Sequence, residues 1–289
     1  MKARGIALSL GVLLFGATLA FAQIAPSSHF ATLDGTRVHY TNYGAGEKAL
    51  LLVHGWSSDE AVWKKQAPAL AKSIRVITVD LPGHGQSDKP EREYTMDYYA
   101  QALEAVLRDA GVKKATVVGH SNGTIVIRQF YRLYPQEVNG MVTVDGSMRP
   151  LGEPEETKKF IEPLRVPESD YAQSAGKFID HFVAPIKDPA ERSATREMML
   201  RTPQRVALSE FKATLDPALW KTDKIEVPLL VILAKSPFWE GYEDYVRKVA
   251  PQAEFKTFED VSHFLMLDKP AEFNEALLAF LKKNDLLKN

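Results

Sequence analysis

Residues 115–123 read Ala-Thr-Val-Val-Gly-His-Ser-Asn-Gly, and the elements that meet here set the fold class of the chain. The apolar run 115–118 is typical of a buried strand, and residues 122–134 predict a helix that ends before Pro135. Glycines stand two residues before and after Ser121, in the pattern G-x-S-x-G. A sharp turn from strand to helix brings its backbone close to neighbouring elements, so only small residues fit at its flanks. We therefore expect the Ser121 hydroxyl at the carboxyl end of a sheet, beside a helix N-terminus that favours developing negative charge.

Strands and helices alternate on either side of this turn. A hairpin is predicted at 30–43, because Asp34-Gly35 is a strong two-residue turn signal between two strands. Further strands, most of them short apolar runs, are predicted at 49–53, 75–80, 140–144, 229–234 and 254–258. Helices are predicted at 96–110, 242–249 and 270–284. This alternation indicates an α/β fold with a mostly parallel central sheet and helices on both faces.

The alternation is interrupted between residues 148 and 222, where no buried strand is predicted. Amphipathic helices are predicted there at 170–183 after Ser169, at 189–200, and at 203–215 after Thr202 with Pro203 as the first helical residue. The mature chain therefore divides into a core segment 23–147, an inserted helical cap 148–222 and a second core segment 223–289. Large apolar residues of the cap are expected either to form its own core or to roof a pocket: Phe160, Phe178, Phe182, Met198 and Met199.

Composition excludes several classes of function. The 289 residues include 36 basic and 37 acidic side chains, so there is no basic excess to bind a nucleic acid. The absence of cysteine excludes disulfides, thiolate-bound metals and a cysteine nucleophile. We expect no cofactor and no metal, and a small molecule as the partner; the sequence does not predict an oligomeric state.

The first 22 residues are typical of a secretory signal peptide. Lys2 and Arg4 precede an uncharged apolar run, and Ala20-Phe21-Ala22 is a small-x-small cleavage signal before Gln23. The run is shorter than the about 20 residues that span a bilayer comfortably, and no later stretch qualifies as a membrane span. We expect an exported protein, periplasmic or secreted, with an uncleaved anchor as the alternative.

A serine nucleophile needs a base and an acid that orients the base. Among seven histidines, His263 stands on a loop between a predicted strand and a predicted helix, where α/β folds place their chemistry. Two acids follow strand ends: Asp145 comes directly after strand 140–144, whereas Glu240 lies several loop residues beyond strand 229–234. A carboxylate directly at a strand end is better fixed, so we favour Asp145 and keep Glu240 as the alternative acid. Asp80 is expected to be structural, accepting hydrogen bonds from the turn that follows it.

Two further sets of residues are expected near Ser121. An oxyanion hole needs two donors, and the backbone N–H groups of Trp56, in the sequence His54-Gly55-Trp56, and of Asn122 are the candidates. Substrate contacts are expected from aromatic residues in loops at the mouth of the site, namely Trp56, Phe238 and Trp239.

Taken together, these segments resemble the α/β-hydrolase superfamily with a cap. Residues 54–56 resemble its oxyanion loop, residues 80–88 its D-x-P-G-x-G-x-S segment, residues 119–123 its nucleophile elbow, and residues 263–273 its histidine loop and final helix. The resemblance covers nearly all of residues 29–285 except the cap, and it implies the fold and a triad rather than a substrate. In most members an Asp follows the strand before the histidine loop, but residues 234–239 contain no acid.

The layout is similar to that of haloalkane dehalogenases, some of which carry the acid at the position of Asp145. Those enzymes and the related epoxide hydrolases use an Asp nucleophile, so Ser121 argues against both chemistries. The resemblance implies hydrolysis of a small-molecule carboxylic ester through an acyl-enzyme. The alternatives are a cofactor-free C–C bond hydrolase or perhydrolase with the same residues, and a ligand-binding protein of this fold without catalysis.

Overall fold

A single eight-stranded sheet organises the computed structural model, which describes residues 25–150 and 152–287; the predicted signal peptide lies outside these residues. In chain order the strands are β1 (Ser27–Leu33), β2 (Thr36–Tyr43), β3 (Lys48–Val53), β4 (Arg75–Val79), β5 (Lys114–His120), β6 (Val138–Val144), β7 (Leu229–Ala234) and β8 (Glu254–Phe258). Their order across the sheet is β1-β2-β4-β3-β5-β6-β7-β8. Pairs β1–β2 and β2–β4 are antiparallel and the other five pairs are parallel. The predicted mostly parallel sheet is confirmed.

The predicted hairpin turn has the backbone that its sequence requires. Asp34 has φ +46° and Gly35 has φ +82°, so both central residues lie in the left-handed region. This geometry matches the right-handed twist of the two strands, which pair from Leu33 opposite Thr36 to Ser27 opposite Asn42.

Helices cover both faces of the sheet. They are α1 (Ala67–Leu70), α2 (Met96–Asp109), α3 (Gly123–Leu133), α4 (Pro154–Ile161), α5 (Glu168–Val183), α6 (Pro189–Leu200), α7 (Gln204–Ala213), α8 (Tyr242–Val249), α9 (Leu265–Asp268) and α10 (Pro270–Lys283). Alternate residues of β3 divide between two apolar cores, with Leu51 among the residues of α2 and α3, and Leu50 and Leu52 among those of α1 and α10. Burial on both faces explains why this strand reads as a continuous apolar run.

Helices α4 to α7 form the insertion between β6 and β7, and here the structure corrects three expectations. Helix α4 was not expected, because Ile161 is its only buried residue; it begins with a capping box between Glu153 and Glu156. Helix α5 begins at Glu168 instead of after Ser169, because the extended backbone of Pro167 ends the preceding segment.

The third correction concerns the start of helix α7. Pro203 has ψ 144°, which is extended, so it caps the helix instead of being its first residue. The expected cap at Thr202 therefore lies one residue too early. Within the described ranges, no helix is both long and apolar enough to cross a membrane.

Candidate active site

Ser121 lies at the tight turn between β5 and α3. Its φ of +54° lies in the left-handed region, which non-glycine residues occupy mainly where the surroundings enforce it, often at functional sites. A Cβ at Gly119 would stand 2.3 Å from the carbonyl oxygen of Gly123. A Cβ at Gly123 would stand 2.6 Å from the carbonyl oxygen of His54. Both flanks of the turn therefore need glycine for steric reasons, as the sequence predicts.

His263 and Asp145 come together from separate parts of the chain. His263 lies on the loop between β8 and α9, and its Nδ1 donates a 2.7 Å hydrogen bond to Oδ2 of Asp145. Asp145 directly follows β6 and is 7% exposed. The other oxygen, Oδ1, accepts the N–H of Ala234 at 2.9 Å and the indole N–H of Trp239 at 3.1 Å. Three donors thus hold this carboxylate, which fixes its orientation and that of the ring.

Ser121 and His263 line the same cavity, together with Asp145. Among the hydrogen bonds of the described residues, none joins the Ser121 hydroxyl to the His263 ring. Such contacts in ligand-free enzymes are often long and tighten when substrate binds.

His120 holds the loop that carries His263. Its Nε2 donates to the backbone carbonyl of His263 at 2.9 Å, and the centroids of the two rings are 4.7 Å apart. His120 is 1% exposed, and burial, followed by the charge of His263, lowers its pKa well below the ordinary value. A neutral His120 therefore fixes the histidine loop without adding charge to the site. Sequence reasoning assigned His120 to its own turn and missed this contact.

Glu240, the alternative acid, lies away from the histidine. It is exposed, its side chain is absent from the cavity wall, and its backbone carbonyl accepts a hydrogen bond from Arg149. The structure thus brings Asp145, and not Glu240, to His263.

The N–H groups of Trp56 and Asn122 lie on the two segments that meet at Ser121. A Cβ at Gly55 would stand 2.9 Å from the Cβ of Ser121, so the Trp56 segment runs directly beside the turn that contains Ser121. In residues 25–150 and 152–287, neither N–H donates a hydrogen bond to another protein atom. Two unpaired N–H groups beside Ser121 leave donors for a ligand.

The cavity measures about 560 Å³ and lies between the core and the cap. The expected loop residues Trp56, Phe238 and Trp239 all line it. The five apolar cap residues divide between the two expected roles: three line the cavity and two are buried away from it. The lining residues are Phe160, Phe182 and Met199, and the buried ones are Phe178 and Met198.

The charged side chains in the cavity wall are acidic. They belong to Asp145, Glu156 and Glu210, and of the described residues no lysine or arginine lines the cavity. Sequence reasoning missed Glu210 and its neighbour Phe211, because nothing in helix α7 distinguishes an inward carboxylate from a solvated one.

Asp80 takes the structural role expected from its turn. Its carboxylate accepts the N–H groups of Gln86 and Glu60 at 2.9 and 2.8 Å, and it faces Nδ1 of His39 at 2.9 Å. The ligand atoms of His39, Glu60 and Asp80 lie within 4.8 Å of one another. Glu60 also accepts hydrogen bonds from Thr41 and Thr78. Because protein donors already occupy these oxygens, hydrogen bonding accounts for the cluster without a metal.

Comparison with known proteins agrees with this architecture. A family model described as the alpha/beta hydrolase fold matches residues 48–270. A 2-hydroxy-6-oxononadienedioate/2-hydroxy-6-oxononatrienedioate hydrolase of Paraburkholderia phymatum is 28% identical, over 91% of this chain and 98% of its own length.

Two solved structures are similar over almost their whole length. Est816, described as an N-acyl homoserine lactone degrading enzyme, is 27% identical with a TM-score of 0.73, over 87% of this chain and 100% of its own. The esterase RhEst1 from Rhodococcus sp. ECU1013 is 25% identical with a TM-score of 0.76, over 89% of this chain and 98% of its own.

Proposed function

This chain belongs to the alpha/beta hydrolase fold family, and on that premise we propose that it is a serine hydrolase that cleaves carboxylic esters of uncharged small molecules. One observation carries the proposal: the 2.7 Å hydrogen bond between His263 and Asp145 in the wall of the cavity that also contains Ser121. This supports a triad in which His263 activates Ser121, because a serine nucleophile needs an imidazole base that a carboxylate orients.

In the proposed reaction the Ser121 oxygen attacks the ester carbonyl carbon and its proton passes to Nε2 of His263. Asp145 holds the ring and stabilises its cationic form, and the N–H groups of Trp56 and Asn122 bind the oxyanion. The tetrahedral intermediate expels the alcohol, which takes the proton from His263. Water, deprotonated by His263, then attacks the acyl-enzyme; the bond to the Ser121 oxygen breaks, that oxygen takes the proton back from His263, and the acid is released.

The charge of the cavity supports an uncharged substrate. No lysine or arginine lines it among the described residues, so an anionic group of a substrate would lose hydration without gaining a permanently charged counter-ion. Apolar and aromatic side chains supply most of the remaining wall. A neutral acyl or alcohol group fits this surface, and so does a lactone, which is a cyclic ester.

The second proposal is C–C bond hydrolysis by the same residues. It is favoured by the Paraburkholderia phymatum relative, whose name denotes a dioate substrate. The lack of a lysine or arginine in the described cavity wall speaks against a dioate as the substrate of this chain. Perhydrolysis, in which hydrogen peroxide replaces water, would use the same residues. The alternative that is not an enzyme is a protein of this fold that binds a ligand without turning it over.

A substrate panel separates these proposals. Purified protein is offered p-nitrophenyl esters of increasing acyl length, an N-acyl homoserine lactone, a vinylogous 1,5-diketone dioate, and an ester with hydrogen peroxide. We expect multiple turnovers of neutral esters, and fluorophosphonate labelling that disappears in Ser121→Ala. Preferred cleavage of the dioate, or a fully active Ser121→Ala protein, overturns the ester proposal. Single labelling without turnover supports a binding protein.

We also propose export, because residues 1–22 have the layout of a signal peptide. Expression of the full chain followed by fractionation and N-terminal sequencing tests this. A mature protein beginning at Gln23 in the periplasm or medium supports the proposal. An intact N-terminus in the membrane fraction indicates an anchor instead.

A further inference from the structure

Glu210 is a fully buried carboxylate on cap helix α7, at the border of the cavity. The proposed reaction of Ser121, His263 and Asp145 does not use it. Carboxylates are almost never fully buried unless they are paired, because the loss of hydration is costly. The partners of Glu210 therefore show what its burial achieves.

The hydrogen bonds of Glu210 reach both segments of the proposed oxyanion hole. Its Oε2 accepts the backbone N–H of Ser57 at 3.3 Å, and its Oε1 accepts the side-chain amide of Asn122 at 3.3 Å. Ser57 directly follows Trp56, and Asn122 is itself the second donor residue. One carboxylate from the cap thus holds the two chain segments that carry the candidate oxyanion donors.

Both segments have backbone that needs external support. Ser57 has φ +52° and Ser121, next to Asn122, has φ +54°, so each segment contains a non-glycine residue in the left-handed region. Such residues persist only where the surrounding structure holds them. Glu210 supplies part of that support from outside the core.

His84 supplies the positive charge that balances Glu210. Its side chain is fully buried, with Nδ1 3.2 Å from the carbonyl oxygen of Pro82 and Nε2 3.1 Å from Oε2 of Glu210. Both neighbours are acceptors when Glu210 is ionised, so both ring nitrogens then carry hydrogen. Burial opposes protonation, but the charge and hydrogen bond of Glu210 outweigh it and raise the pKa of His84.

This balance matters because of the charge that develops on the substrate. An uncompensated carboxylate near the oxyanion hole would repel the oxyanion in a site of low dielectric constant. Paired with a protonated His84, the carboxylate retains its acceptor oxygens while the pair as a whole is neutral.

We propose that Glu210 is a positioning residue for the oxyanion hole, through which the cap fixes the donors of Trp56 and Asn122, with His84 cancelling its charge. The inference rests on the proposed function, since an oxyanion forms only if Ser121 attacks a carbonyl or an equivalent centre.

Glu210→Gln tests the proposal, because glutamine has the same shape but only one acceptor oxygen. If the new amide nitrogen takes the place of Oε2, the donors of Ser57 and His84 lose their acceptor. If it takes the place of Oε1, the side-chain amide of Asn122 loses its acceptor. We expect kcat on a neutral ester to fall about 10- to 100-fold with KM nearly unchanged, below the loss for removing a donor outright. Affinity for a trifluoromethyl ketone, which forms a tetrahedral oxyanion, should fall by a similar factor, and affinity for the matching methyl ketone should not.

Glu191→Gln is the matched control. Glu191 is also a cap carboxylate, but it pairs with Lys64 and Lys65 of the core and does not line the cavity. We expect its kcat to stay within about twofold of the parent. An equal loss in the control, an unchanged kcat in Glu210→Gln, or an equal loss of affinity for both ketones overturns the proposal. If Glu210→Gln does not fold, Glu210→Asp, which retracts the carboxylate, is measured in the same way.

The part played by His84 has its own test. His84→Gln leaves a hydrogen-bond donor beside Glu210 but removes the cation, so we expect a larger loss of kcat than in Glu210→Gln. The double variant removes both charges and should recover part of that loss. Strictly multiplicative losses in the double variant contradict charge compensation.

Hydrogen–deuterium exchange separates this inference from the proposed function. Peptides that contain residues 54–58 and 119–124 should exchange faster in Glu210→Gln than in the parent, and unchanged exchange overturns the positioning role whether or not the protein is active. If exchange is faster in Glu210→Gln but the parent neither labels at Ser121 nor turns over esters, the proposed function has failed while the positioning role stands.

Discussion

The indole N–H of Trp239 donates a hydrogen bond of 3.1 Å to Oδ1 of Asp145. The segment that contains Trp239 follows β7 and has no acid between residues 234 and 239. It contributes a donor instead, and the N–H of Ala234, the last residue of β7, reaches the same oxygen at 2.9 Å. The carboxylate itself comes from the end of the neighbouring strand β6. The end of β6 thus supplies the carboxylate, and the end of β7 and the segment after it hold that carboxylate in place beside His263.

Asp145→Asn should reduce kcat by about 10⁴-fold, because an amide neither stabilises the cationic ring of His263 nor enforces its tautomer. Steady-state hydrolysis of a neutral ester measures the loss. Glu240→Gln is the control, and we expect it to remain within about twofold of the parent because Glu240 is exposed and outside the cavity wall. If Glu240→Gln loses its activity and Asp145→Asn keeps it, Glu240 and not Asp145 is the acid.

Trp239→Phe should lower kcat about tenfold, because it removes one donor from a charged carboxylate and keeps most of the aromatic surface. Its control is Trp220→Phe: Trp220 does not line the cavity, and its indole N–H donates to the backbone carbonyl oxygen of the cavity residue Thr214 instead of to Asp145. Comparison of kcat in the two variants measures the effect. Equal activities would show that Ala234 alone suffices to hold Asp145.

The strands and turns of the core could be predicted from the sequence because they depend on short local patterns. Burial on both faces makes β3 and β7 continuous apolar runs, and Asp34-Gly35 occupies the left-handed backbone that its turn needs. The approach of Asp145 to His263 follows from the same logic, because the carboxyl ends of neighbouring parallel strands lie at one edge of the sheet.

The residues that the cap contributes to the cavity could not be predicted in this way, because they depend on how the cap helices pack against the core. Helix α4 buries only Ile161, too little to give a periodic apolar pattern. Glu210 lies on a helix with ordinary polar spacing, and only the tertiary contact with His84 and Asn122 turns it inward. Both partners lie more than 80 residues away in the chain, beyond the range of any local pattern.

Gly123→Ala should destabilise the protein by about 3 kcal/mol or more, because the added methyl would stand 2.6 and 2.7 Å from main-chain oxygens of His54 and Val53. Helix α3 would have to move away from β3, so activity should fall as well. Thermal unfolding measures the first effect, with a decrease in Tm of about 5 °C expected. Gly111→Ala is the control: nothing lies within 4 Å, and the cost is only that of its φ of +67°, about 1 kcal/mol. Similar Tm values for the two variants would show that α3 can shift without cost.

The stability of the protein should decrease in acid because of His54. This ring is fully buried; its Nε2 accepts the N–H of Leu81 at 3.0 Å and its Nδ1 donates to Gly55 at 2.8 Å, which requires the neutral form. Burial, followed by the charge of His84, lowers the pKa of His54 to about 4. In the unfolded chain His54 binds a proton below about pH 6.5, whereas in the folded chain it stays neutral down to about pH 4. The free energy of unfolding therefore falls as the pH is lowered from about 6.5 to about 4.

His54→Asn isolates this effect, because asparagine offers an acceptor and a donor but does not titrate. Between pH 7 and pH 5 the parent should lose about 2 kcal/mol of unfolding free energy relative to this variant. Urea unfolding at the two pH values measures the difference. The exposed His181 provides the control: His181→Gln should lose stability in parallel with the parent. Parallel curves for the parent and His54→Asn would mean that the buried ring accepts a proton at pH 5, and that the hydrogen bond from Leu81 does not keep it neutral.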